Sequence, residues 1–147
     1  MVTLGHSALG RASRAKRVRT ACVNLDLQTD GLRAGEIRRS IIAFLKRGGR
    51  PDSDFDAAEL IVGELLSNVV RYAPGRFRVG VSWEHGFAVI EIADAGRSFT
   101  YPRPPPELES PGGHGLRLAA SLARELTVRR IDDRGNLVRA VLPVTRA

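Results

Sequence analysis

The stretch "RFRVGVSWEHGFAVIEIAD", Arg76 to Asp94, limits the fold more than any other part of the chain. Two runs rich in β-branched and aromatic residues meet at His85-Gly86, a hinge too short for anything but an antiparallel hairpin. The segments before it have a different period. "GLRAGEIRRSIIAFLKRGG" reads as an amphipathic helix closed by Gly48 and Gly49, and "ELIVGELLSNVVRYAPG" as a second helix stopping at Pro74-Gly75. Asp52 or Ser53 is the expected cap of that second helix, with Asp54, Asp56 and Glu59 complementing its N-terminus. "ACVNLDL" (Ala21 to Leu27) alternates as a first strand.

After the hairpin comes "AGRSFTYPRPPPELESPGG", whose prolines exclude regular structure and mark a long lid-like connection. A helix from about Gly115 to Arg124 follows. Two last strands, "ELTVRRI" and "NLVRAVLPV", turn around Asp132 to Gly135. The order is β-α-α-β-β-lid-α-β-β. It packs most economically as an α+β fold, a two-layer sandwich with helices on one face of a mostly antiparallel sheet.

Size and charge narrow the possibilities. With 147 residues, 43% of them hydrophobic, the chain is expected to form one core. No apolar run approaches a membrane span, and the first twenty residues lack a secretory apolar block. Cys22 is a lone cysteine, and no Cys/His cluster has metal-ligand spacing. These features lead to the expectation of a cytoplasmic protein whose only metal arrives with a ligand. The net charge is +7, but residues 1–20 hold five basic residues and no acidic one. The expected division is therefore a basic, disordered tail over 1–20 and a folded domain over 21–147. Nucleic-acid binding through the basic arm is the weaker reading of that tail.

Three short polar elements interrupt the apolar pattern. Glu64 and Asn68 lie four residues apart and share one helix face. Asp94-Ala95-Gly96 ends the hairpin, and Gly112-Gly113-His114-Gly115-Leu116 opens the third helix. Each alone has an ordinary explanation: a solvated stripe, a turn, a flexible helix entry. Their order, Glu-x-x-x-Asn, Asp-x-Gly, then Gly-x-Gly-Leu-x-Leu, resembles the nucleotide-site signature of the GHKL superfamily of histidine-kinase-like ATPases, over about Leu25 to Val144. The pattern departs from Asp-x-Gly-x-Gly at Ser98, where the second glycine is absent.

The resemblance implies roles for individual residues. Asn68 would give an oxygen to the Mg²⁺ that accompanies ATP. Asp94 would accept a hydrogen bond from the adenine amine, with Gly96 turning the backbone beneath the base. Gly113, His114, Gly115 and Leu116 would bring backbone N–H groups to the phosphates. Arg71 and Tyr72 match positions that often hold a basic residue and a ring near the phosphates, although Arg71 is equally compatible with a plain surface arginine. Glu64 would be the general base, its alternatives being an arginine pair or simple solvation.

Size further resembles the bacterial anti-sigma-factor serine/threonine kinases, small stand-alone members with Glu four before Asn. That resemblance implies an ATP-dependent kinase which binds a sigma factor or an anti-sigma-factor antagonist and phosphorylates the antagonist, in transcription regulation. A non-catalytic, nucleotide-dependent binding module of the same fold is the alternative. A homodimer through Ile37, Ile41 and Phe44 is an option only if those residues are not core.

Overall fold

The computed structural model describes residues 23–28, 31–73, 76–96, 114–131 and 135–147. The expected basic tail over 1–20, Pro74-Gly75, most of the expected lid (97–113) and the turn residues 132–134 lie outside the described residues. The elements run β1 (Val23–Gln28), α1 (Gly31–Gly48), α2 (Phe55–Tyr72), β2 (Arg76–Glu84), β3 (Phe87–Asp94), α3 (His114–Leu122), β4 (Glu125–Arg130) and β5 (Asn136–Thr145). This is the order expected from the sequence. Among the described residues, five strands form one sheet in the order β1-β2-β3-β5-β4, and every pairing is antiparallel.

The hairpin holds the sheet together. His85 (φ 49°) and Gly86 (φ 84°) both take positive φ, the two-residue turn whose twist matches that of the strands it joins. With that turn set, Phe77, Val79, Val81 and Trp83 of β2 share the buried face with Ala88, Ile90 and Ile92 of β3. Strand β5 alternates strictly between buried and half-buried positions and lies beside β3 at the centre of the sheet. Strand β4 is an edge and is largely exposed. On the outer face, Arg139 of β5 bridges Glu84 at 2.8 Å and Glu91 at 3.7 Å.

The helices cover the opposite face. Ile37, Ile41, Ile42 and Leu45 of α1 and Ala58, Ile61, Val62, Leu65, Leu66 and Val69 of α2 are buried in one core with the inward strand residues. Ile37 and Ile41 are thus core, and Phe44, half-buried, packs on Trp83 with ring centroids 6.2 Å apart. This face of α1 is occupied within the chain. It offers no dimer surface.

Two boundaries differ from the sequence expectation. Helix α2 is capped by Asp54, whose carboxylate accepts from the Ala57 N–H at 3.0 Å, three residues on. Ser53 instead accepts from the Thr145 N–H at 3.0 Å, tying the loop to the end of β5. Asp52 accepts from the Arg50 side chain at 3.1 Å, and this bond holds its pKa below the usual value. Helix α3 ends at Leu122 rather than near Arg124, because the Arg124 N–H turns to the Val141 carbonyl at 2.8 Å and begins the sheet pairing. Among the described residues, no helix is long and apolar enough to cross a membrane.

Candidate functional site

Helix α2 brings the three polar elements together. Its apolar stripe faces the sheet, which leaves Glu64 and Asn68 half-buried on the side turned toward α3. Among the described residues, neither side chain has a hydrogen-bond or ion-pair partner. The arginine pairing considered for Glu64 is therefore absent among those residues; Arg38 of α1 lies by Glu59 and Gly63.

Gly115, the second residue of α3, joins the first and third elements. A methyl group at this position would collide with Oε2 of Glu64 and lie 3.4 Å from its Cδ. Glycine is thus needed for close approach: it lets the first turn of α3 rest against the Glu64 carboxylate. A negative group at a helix N-terminus is favourable, since the first N–H groups there have no partner within the helix. Leu116, the next residue, is buried and anchors α3 in the core. His114 opens the helix, and Gly113 lies outside the described residues.

The second element meets the far end of α2. Asp94 closes β3 in phase with Ile90 and Ile92, so a carboxylate occupies an inward position and is only 9% exposed. Its Oδ1 accepts the Gly96 N–H at 2.8 Å, a turn stabilised by the aspartate itself. A side chain on Gly96 would stand 2.7 Å from the Ala73 Cβ and 3.0 Å from Oδ1 of Asp94. Ala73 is the C-cap of α2, so the Asp94–Gly96 turn is pressed against the end of the helix that carries Glu64 and Asn68. Arg71 is exposed in the last turn of α2, where a positive charge complements the helix C-terminus. Tyr72 is the last residue of that helix.

One residue of this corner escaped the sequence reading, and a second was read only as the end of a turn. Asn136, the first residue of β5, is 1% exposed and stands directly opposite Asp94 in the ladder. Its Nδ2 donates to the same Oδ1 of Asp94 at 3.2 Å. Gly135, with φ 93°, lies so close to the Asp94 carbonyl that any side chain there would overlap it. A signal for Asn136 was available. Counting back in twos along the inward phase of β5, from Val144 through Leu142, Ala140 and Val138, ends on an asparagine, a polar group placed where only a satisfied one is tolerated.

Three helices against one face of an antiparallel sheet, with these elements gathered along α2, define an ATPase domain of the GHKL type. The chain belongs to the family of the histidine kinase-like ATPase domain, whose model matches residues 28–142. No curated protein matches the chain. Among solved structures it is similar to the histidine kinase domain from Erythrobacter litoralis EL346 blue-light activated histidine kinase. That likeness has 20% identity and a TM-score of 0.47, over 92% of this chain and 66% of that one. Domains of this family bind ATP, generally with Mg²⁺. The donor set here suits that ion only in company with the nucleotide. Asn68 offers one hard oxygen, and among the described residues there is no cluster of three His, Cys, Asp or Glu to hold a metal unaided.

Proposed function

We propose that the chain is an ATP-dependent protein serine/threonine kinase of the anti-sigma-factor type, comprising the domain over 21–147 and the basic tail over 1–20. In this reading it binds a sigma factor or an anti-sigma-factor antagonist and phosphorylates the antagonist. The observation that carries the reading is the placement of the Glu64 carboxylate, without a partner among the described residues, against Gly115 at the start of α3, with Asn68 one turn further along the same helix. That arrangement supports a reading in which a base, a metal-ligand oxygen and a helix N-terminus serve one site.

Each group then has a distinct task. Asp94 accepts the adenine amine, which selects adenine over guanine. The backbone around Gly113, His114, Gly115 and Leu116, with Arg71 and Tyr72 at the end of α2, receives the phosphates. Asn68 would hold the Mg²⁺ of the bound nucleotide, and that ion would supply charge neutralisation at the phosphates. Glu64 takes the proton of the incoming Ser or Thr hydroxyl as its oxygen bonds to the γ-phosphorus. The bond from that phosphorus to the β,γ-bridging oxygen breaks, and ADP leaves.

The test combines binding with transfer. Calorimetric titration of ATP with and without Mg²⁺, on wild type and Asn68→Ala, is followed by transfer of labelled γ-phosphate to a purified antagonist. The reading requires Mg²⁺-dependent ATP binding and labelled Ser or Thr, both lost in Asn68→Ala. Tight Mg²⁺-ATP binding with no label on the antagonist would instead identify a non-catalytic, nucleotide-dependent binding module.

A further inference from the structure

Strand β4 lies outermost in the sheet, and among the described residues nothing pairs with the side turned away from β5. Glu125, Thr127 and Arg129 are open to water, while Leu126 and Val128 are half-buried against the core. Charges commonly guard such an edge, and charges of one sign repel a second copy of it. Here the signs differ. Glu125 and Arg129 stand on either side of Thr127 on the outer face, and neither has a partner among the described residues.

The hairpin determines which backbone groups this edge presents. A two-residue turn closes on a pair that exchanges both backbone bonds, here Glu84 and Phe87. Alternation carries that phase outward: Val89 and Glu91 bond toward β2, Ile90 and Ile92 toward β5, and Leu137 and Arg139 toward β4. The Ile131 N–H, donated to the Gly135 carbonyl at 3.2 Å, agrees with it. Glu125, Thr127 and Arg129 therefore turn their N–H and C=O groups to β5. Leu126 and Val128 turn theirs to the open edge.

We infer that this edge pairs antiparallel with the β4 edge of a second copy of the chain, about a two-fold axis at Thr127. Directly opposed residues must share both face and bonding phase, which restricts the centre to a residue rather than a point between two. Centring on Thr127 sets Leu126 opposite the second copy's Val128, where the open N–H and C=O groups satisfy one another, and sets Glu125 opposite its Arg129. The axis repeats both contacts. A centre at Leu126 sets Glu125 opposite Thr127, and one at Val128 sets Arg129 opposite Thr127, so neither joins the charges. The next position outward sets Arg124 opposite Arg130, but these guanidiniums fall on different faces. Arg124 lies over the Phe87 ring, 4.0 Å from its centroid, on the outer face, whereas Arg130 follows the inward phase of Leu126 and Val128.

The experiment is sedimentation equilibrium of the full chain over a concentration series, in wild type, Glu125→Arg, Arg129→Glu and the double variant carrying both changes. Both altered positions are exposed, so thermal unfolding of the variants should match wild type. Wild type is expected to dimerise. Each single reversal turns both cross-strand attractions into repulsions and should raise the dimer dissociation constant about tenfold or more, whereas the double variant, with the charges exchanged, should return to within about threefold of wild type. The register has its own readout. Thr127→Cys, with the native Cys22 changed to serine, places a thiol at the axis in a non-hydrogen-bonded pair, whose Cα separation of about 4.5 Å suits a disulfide, so mild oxidation should link two chains. A wild-type chain that stays monomeric overturns the inference and leaves the edge to a different protein or to another part of this chain. A dimer indifferent to either reversal, a double variant no tighter than the single ones, or a Thr127→Cys chain that forms no linked dimer overturns it as well.

Discussion

Replacing Asp94 by Asn and by Ala separates its structural work from its recognition work. Asparagine keeps an oxygen where Oδ1 stands, so the Gly96 N–H and the Asn136 amide retain their acceptor. In the proposed reading the other atom becomes an NH₂ donor aimed at the adenine amine, also a donor. Loss of a charge-assisted bond costs about 1.5–3 kcal/mol, so ATP affinity should fall roughly ten- to over a hundredfold. Stability should change little, by less than about 1 kcal/mol. Alanine removes both oxygens, and with them the acceptor of the Gly96 N–H and of the Asn136 side-chain amide. Each hydrogen bond lost costs about 1–3 kcal/mol, and in a domain of this size each kcal/mol lowers Tm by about 3–5 °C. Calorimetry with ATP and Mg²⁺ gives the first quantity, and thermal unfolding of the same samples the second. Asparagine binding ATP as tightly as wild type, or alanine melting at the wild-type temperature, would refute the account of Asp94 given above.

Three further outcomes are expected. Glu64→Gln keeps the shape and loses the base, so ATP affinity should stay within a few-fold while single-turnover transfer to the antagonist falls by about 10²–10⁴; transfer at the wild-type rate removes Glu64 from catalysis. Gly115→Ala should leave the melting temperature close to wild type, because the atom displaced is the far end of the flexible Glu64 side chain, yet cut transfer about 10²-fold by moving that carboxylate. Unchanged transfer there would show that contact between the two residues is irrelevant. Deletion of residues 1–20 should change neither Tm nor ATP affinity, since the family match begins at residue 28; a clear drop in either, seen by thermal unfolding or titration, would show that the segment docks on the domain.

What the sequence determined alone was whatever rests on neighbours in the chain. Alternation of period two and the His85-Gly86 hinge sufficed for the hairpin, and period 3.6 sufficed for the buried stripe of α2 and for Glu64 and Asn68 sharing a face. The order of the described elements followed, because each is encoded within its own stretch. Local competition was less legible. Asp52, Ser53 and Asp54 are all good caps, and the choice of Asp54 depended on the other two being drawn to Arg50 and to the Thr145 N–H, the latter contact spanning 92 positions. The site was legible as three separate elements and became one place only in the folded chain. Gly115 meets Glu64 because α3 packs on α2, and Asn136 faces Asp94 from 42 positions away because β5 inserts between β3 and β4. Periodicity reports that a residue turns inward, but register between strands that are not consecutive is decided by how the whole core closes. A buried asparagine after a turn therefore carries no local sign of the carboxylate it serves, and only the sheet order supplies it.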